Sequence, residues 1–222
     1  MASRPQPRPT KRSKAPARPF VRGLDDTQQL LLSAARDLFL EVGEGGFSLR
    51  EVARRVGVSP AAVYRHFEGK EALIFAACTQ GFQVFSSYLV RALQAPSPLA
   101  RLLVAAEQYR AFALENPLDY RFIFMSPASP VRPPSALKAA DTAPALPQST
   151  TFQFLIDRVS ECMNVGVLAS SDALKTSLLI WAHLHGLVAL RLCSQLDPLG
   201  DDLAFAEFYR DSFARLLRGL SV

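Results

Sequence analysis

SLREVARRVGVSPAAVYRHFEGK, residues 48–70, decides the fold. Ser48 and Glu51 stand at capping-box spacing, where the hydroxyl accepts from the backbone three residues on and the carboxylate reaches back. Phe47 and Val52 are placed as the accompanying hydrophobic staple. Leu49, Val52, Ala53 and Val56 repeat at helical spacing and form one apolar face. Gly57 can end that helix in the left-handed conformation. Ser59 caps a second helix with Pro60 at its first position, where the missing N–H costs nothing. Two short helices across a glycine-containing turn make a helix-turn-helix.

The second helix has an outward face suited to contact. Val63 and Phe67, four apart, point to the core. Successive residues rotate by about 100°, so Ala61 and Arg65 point most directly outward. Ala62 and Tyr64 lie on the flanks, and His66 lies nearer the buried side. This face carries one arginine and no acid before Glu68. In a major groove, arginine can bind guanine bidentately and alanine can meet a thymine methyl. A generic surface helix of an all-α protein would share the same spacing.

The whole chain sets bounds on that reading. Its 222 residues and 49% hydrophobic content allow a sizeable core in one large or two small domains. Net charge is +5, but residues 1–22 hold seven basic side chains and no acid. The other 200 residues hold 18 basic and 20 acidic, so the basic balance belongs to the tail. Five prolines in that tail argue for disorder. It can serve as a basic arm on DNA or remain a solvated charge cluster. Cys78, Cys162 and Cys193 lack ligand spacing and read as buried free thiols in a reducing compartment. The N-terminus shows no signal-peptide pattern. The longest apolar run, about 178–190, is interrupted by His183 and His185 and is too short to span a bilayer. A soluble cytoplasmic protein is expected, with no membrane partner.

An all-α fold of about nine helices follows from the periodicity. Helix 1 spans about 25–42, with Asp25 and Gln28 at cap spacing and Leu31, Leu32, Ala35, Leu38 and Phe39 on its buried face. Gly43, Gly45 and Gly46 break it. Helix 4 spans about 70–93 and leaves the DNA-reading unit directly, so whatever moves helix 4 should move helix 3. Its apolar residues, Leu73, Ile74, Ala77, Phe82, Phe85, Tyr88, Leu89 and Leu93, lie on more than one side. Ser97-Pro98 opens helix 5, and Asn116-Pro117 opens a short helix 6 ending near Met125. Six prolines mark 126–148 as a long loop. Helix 7 spans about 150–167, helix 8 about 172–196 behind a Ser171 cap, and helix 9 starts after an Asp201 cap.

This arrangement resembles the TetR family of transcriptional regulators. The resemblance is specific over Leu30–Phe82: AARDLF in helix 1, REVARRVGVS, VYRHF, and GKEAL. The spacing of Tyr64, Phe67 and Lys70 carries the signature. NPLDYRFIF and the WAHLHG of Trp181–Gly186 resemble the subgroup named for a Trp…His-Gly motif. The resemblance implies a DNA-binding domain at 23–70 behind a 1–22 tail, and a ligand-binding and dimerisation domain at 71–222. It implies base-edge contacts from Pro60, Ala61, Ala62 and Arg65, and phosphate contacts from Tyr64, His66, Lys70 and the helix start at Ser48, with Ser59 also among the DNA-binding residues. Many members carry Lys-Gly-Thr where this chain has Pro60-Ala61-Ala62, which shifts weight onto Arg65 and leaves the operator sequence open.

The resemblance also implies that helices 8 and 9 form a homodimer as a four-helix bundle. Trp181, Ala182, His185, Gly186 and Ala189 on helix 8, with Phe205, Tyr209 and Phe213 on helix 9, are the expected contacts. Small residues there allow close helix approach. Phe82, Phe85, Phe112, Phe124 and Phe154 are implied to line an inducer pocket, with Tyr109, Tyr120 and His183 as polar members. Such phenylalanines equally make plain core packing. No charged side chain is placed to pair a ligand, so an uncharged hydrophobic or aromatic ligand is expected. No catalytic motif, metal-ligand spacing or cofactor site is legible. The expected function is a ligand-responsive regulator, a repressor on a palindromic double-stranded operator, with an activator or a ligand-independent DNA binder as the alternative. Two recognition helices must then lie about 34–36 Å apart, or a multiple of the helical repeat.

Overall fold

The computed structural model of the protein describes residues 25–126 and 147–221. The expected tail at 1–22 and most of the expected loop, 127–146, lie outside the described residues. Among the described residues there are nine α-helices and no strand: α1 Asp26–Gly46, α2 Leu49–Val56, α3 Pro60–His66, α4 Lys70–Leu89, α5 Pro98–Glu115, α6 Pro117–Tyr120, α7 Pro147–Asn164, α8 Ala173–Leu192 and α9 Asp202–Leu220.

The N-terminal helices start and stop largely where their residues dictate. Asp25 and Gln28 form a reciprocal capping box at the start of α1, with Gln28 N–H donating to Asp25 Oδ1 at 2.7 Å. Leu31, Leu32, Ala35, Leu38 and Phe39 are all buried. Regular helix is interrupted at Gly43, whose φ of 67° is one that only glycine adopts at little cost. Gly57 takes φ 78° and ends α2. Ser59 Oγ accepts from Ala62 N–H at 3.2 Å at the start of α3.

One capping expectation fails. Ser48 stands at the N-cap of α2 but makes no side-chain cap bond. Glu51 is drawn away by cations: Arg54 Nη2 donates to it at 2.7 Å and Arg55 Nε at 3.2 Å. Hydrogen bonds from Arg54, then Arg55, hold the Glu51 carboxyl down to about 2. Two charged donors outweigh one neutral backbone N–H.

The body differs in detail from the expected boundaries. Helix α4 ends at Leu89 and tightens into a 3-10 turn, Val90–Gln94, which leaves Leu93 half exposed. Helix α6 opens into a wider π turn at Arg121–Met125. Asp172, rather than Ser171, caps α8 by accepting from Leu174 and Lys175 N–H; Ser171 Oγ instead bonds Thr176 Oγ1 at 2.9 Å. Helix α8 stops at Leu192, short of Leu196. Cys78 and Cys162 are buried, whereas Cys193, expected inside, is exposed.

Hydrophobic packing is continuous from Leu31 in α1 to Leu217 in α9. Helix α4 joins the two ends: Leu73 and Ala77 are buried near α1, and Phe82, Phe85 and Tyr88 are buried in the body. Gly81 makes this approach possible, because a Cβ there would lie 2.7 Å from Ile123 Cγ2 in the π turn. Among the described residues, two helical stretches, Lys70–Gln94 and Ala173–Leu192, are long and apolar enough to cross a membrane by length and composition alone, a test that core helices also pass. Most of α8 is buried or half-buried, and its exposed large apolar side chains are Leu179 and Leu190.

Candidate nucleic-acid interface and ligand site

Helix α3 projects a compact exposed tip. Ser59, Pro60, Ala61, Tyr64 and Arg65 are exposed, with Tyr64 at 59%. Val63 is fully buried and anchors the helix. Ala62, expected on the flank, is buried as well, because it stands next to Val63 on the side facing the core. His66 is partly buried, with Nδ1 3.9 Å from Asp25 Oδ2 at the start of α1.

The surrounding cations are mostly committed. Arg55 bonds Glu41 at 2.6 Å, and Arg54 bonds Glu51. Lys70 Nζ donates to Glu44 O at 2.6 Å and lies 5.8 Å from the Phe47 ring centroid. It clamps the α1–α2 turn, so a phosphate contact must share or replace that bond. Arg50, absent from the expected contacts, is exposed in the first turn of α2. Its position off the Leu49–Val56 apolar face is the signal that could have found it.

The body holds a cluster of aromatic rings around three polar groups. Tyr109 of α5 and Tyr120 of α6 have hydroxyls 3.0 Å apart. His185 Nδ1 of α8 lies 2.7 Å from Tyr120 Oη and 3.0 Å from Tyr109 Oη. Burial pushes the His185 pKa down, which keeps the ring neutral. Burial drives both phenols well above their ordinary range. One tyrosine hydroxyl donates to the other, and that one donates to His185 Nδ1. His185 Nε2 then carries the ring proton.

The walls of this cluster are Phe85, Phe112, Phe124 and Trp181. Phe124 is 5.2 Å from Tyr120, 5.6 Å from Phe85 and 5.7 Å from Phe82 between ring centroids. Phe85 and Phe112 are 5.0 Å apart. Trp181 is 5.3 Å from His185 and 6.1 Å from Phe152. Phe154 is placed elsewhere, beneath the Arg158 guanidinium at 4.7 Å.

The two histidines of α8 exchange their expected places. His183, expected in the pocket, turns to α9, with Nε2 3.1 Å from Ser212 Oγ. Trp181, expected at a dimer face, turns inward, and so does His185, expected at that face or in the core. Residues two apart on a helix face different sides, and the packing of α8 decides which side is which. Phe205, Tyr209 and Phe213 of α9 are likewise buried inside their own chain, and Tyr209 Oη donates to Ala106 O at 3.0 Å. Ala182 is exposed and Gly186 and Ala189 are half-buried. Leu179 and Leu190 on α8, and Leu203 and Phe208 on α9, are the exposed large apolar residues there.

Residues 31–77 match the family described as bacterial regulatory proteins, tetR family. Residues 102–220 match a tetracyclin repressor-like C-terminal domain, a match that covers more than half of the 222 residues. The chain belongs to the TetR family. Its two matched regions carry the regulator fold of that family. The chain is 30% identical over 121 residues to the tetracycline repressor protein class A from transposon 1721 of Escherichia coli, covering 54% of this chain and 48% of that one. It is 31% identical over 101 residues to the transcriptional activator FasR of Mycolicibacterium smegmatis, covering 45% and 46%. The chain thus spans about half the length of the curated relatives it matches. A putative tetR family regulator from Shewanella sp. PV-4 superposes with a TM-score of 0.70 at 18% identity, covering 89% of this chain and 100% of that one. That likeness concerns the fold. In this TetR-family chain the helix-turn-helix is α2–α3.

Proposed function

We propose that this TetR-family protein is a ligand-responsive repressor that binds a palindromic operator as a homodimer. The observation that carries the reading is the α3 tip: Ala61, Tyr64 and Arg65 stand exposed on a helix anchored by Val63 and capped by Ser59. Arg65 supplies base readout; Tyr64, Ser59, Lys70 and the N-terminus of α2 at Ser48 supply phosphate contacts. Pro60 fits against the groove, and His66 adds a flank contact. Ala62 contributes packing rather than readout. Residues 23–70 act as the reading unit, 71–222 as the ligand-binding and dimerisation unit, and 1–22 as a basic arm. The WAHLHG stretch supports placement in the Trp…His-Gly subgroup.

The ligand enters beside Trp181, Phe124 and Phe152. Aromatic walls and a neutral His185 favour an uncharged aromatic or hydrophobic compound with one hydrogen-bond acceptor for Nε2. The dimer forms through the outward faces of α8 and α9, with Leu179, Ala182, Gly186, Leu190, Leu203 and Phe208 at the contact. The protein works in the cytoplasm. Similarity to an activator as well as a repressor keeps activation as the second reading.

The test is fluorescence anisotropy on a duplex carrying the sequence upstream of the protein's own gene, across a salt series. Binding with two chains per palindrome and a steep loss of affinity with salt is expected. Absence of binding to any DNA at low salt overturns the reading.

A further inference from the structure

The segment 117–125 touches four helices with consecutive side chains. Asp119 Oδ1 accepts from Arg36 Nη1 of α1 at 2.6 Å, in an ion pair whose side chains are 12% and 6% exposed. The next residue, Tyr120, bonds Tyr109 of α5 and His185 of α8. Arg121 Nη2 donates to Leu192 O of α8 at 2.6 Å. Phe122 meets Phe39 of α1 edge-on at 5.6 Å. Ile123 packs where α4 is reduced to Gly81.

A buried ion pair is weak evidence for stability, since removing two charges from water offsets most of their attraction. Its geometric effect is stronger. The Arg36 guanidinium bonds Asp119 and also its own neighbour Asp37, which holds the three groups in one orientation. Here the ion pair joins α1, against which α2 packs and through α2 the α3 helix, to α6, which runs directly into the Arg121–Met125 turn. The other side chain of that step lies in the aromatic cluster. Displacing Tyr120 therefore displaces Asp119.

We propose that the Asp119–Tyr120 step couples the aromatic cluster to the DNA-reading tip, with Arg36 and Asp119 as the positioning pair. This is a route through α1, separate from the continuity of α4 with α3. It rests on the reading of the chain as a ligand-responsive DNA binder. Coupling between two sites is reciprocal, so DNA bound at the tip must be felt in the cluster. Trp181 is the only tryptophan in the chain and lies in that cluster, 5.3 Å from His185. Its emission reports there without any added ligand.

The experiment titrates the full chain with a duplex carrying its own upstream sequence and reads anisotropy and Trp181 emission together. The proteins are wild type and Arg36→Met/Asp119→Leu, which removes both charges at once. Wild type is expected to change emission on binding DNA. The double variant is expected to keep wild-type helicity by circular dichroism, to bind about tenfold more weakly, within the usual range of coupling, and to lose the emission change. Wild-type affinity and an unchanged emission response in the double variant overturn the proposal. So does a wild type that binds DNA with no emission change. A wild type that binds no DNA fails one step earlier and sinks the functional reading with it. Should the double variant lose helicity, Arg36→Lys replaces it: weaker binding with a lost emission change supports the coupling, and wild-type behaviour in both overturns it.

Discussion

At the α3 tip, Tyr64 and Arg65 reach solvent from a helix whose other face is buried. In the body, the hydroxyls of Tyr109 and Tyr120 and the ring of His185 spend their polar capacity on one another, inside a shell of aromatic rings. The tip is built to leave bonds for a partner, and the body is built to hold a shape. A side chain at the tip should therefore matter to DNA and little to folding. A side chain in the cluster should matter first to folding.

The strongest way to break that contrast is Phe112→Ala. Phe112 is fully buried between Phe85 and Tyr88, and its loss should cost about 3–5 kcal/mol of unfolding free energy, measured by urea denaturation. A loss within about 0.5 kcal/mol, the scale of a surface change, would show that the body is not the rigid half. Tyr120→Phe keeps the ring but removes one hydroxyl from the triad. It should cost about 1–2 kcal/mol, because a buried polar neighbour loses a partner. Ser59→Ala removes the bond to Ala62 N–H. The expected loss is about 1 kcal/mol, visible as faster amide exchange in α3 while the exchange of α8 is unchanged.

Acidification sharpens the contrast within the body. Burial lowers the His185 pKa from its ordinary 6.5. The unfolded chain therefore takes up the proton first. This contribution is at its best above pH 6.5 and is lost as pH falls from there toward the folded value. Trp181 emission of the folded chain should change as pH falls through the lowered folded value, and the change should disappear in His185→Asn. Persistence of the step in that variant would assign it to His183, whose pKa burial also lowers.

The two regions also differ in how far their sequences can be read. Ser59, Pro60, Val63 and Gly57 act on neighbours within four residues, so spacing is enough to place α2 and α3 and their turn. Even there, Ser48 makes no cap bond, and Glu51 does not reach back because Arg54 and Arg55 claim its carboxylate, a competition that spacing alone does not rank. In the body the polar triad joins residues 65 and 76 positions apart. Its members are legible as candidates, but the rotation of α8 is not, and so His183 and His185 are expected on each other's sides. The same limit puts Phe205, Tyr209 and Phe213 at an expected dimer face: an apolar stripe shows that a helix face is covered, not which surface covers it. Arg36–Asp119, 83 residues apart, carries no local signal at all.

The smallest expected effect on stability is that of Arg65→Ala, within about 0.5 kcal/mol as for an exposed surface position. The same variant tests the central claim most directly. Wild type and Arg65→Ala are compared by anisotropy on the palindrome upstream of the gene and on a duplex with both half-sites scrambled. The account predicts that the variant binds the scrambled duplex nearly as wild type does, while its preference for the palindrome falls by about 1–3 kcal/mol per half-site contact. An unchanged preference would contradict the assignment of base readout to Arg65 on α3.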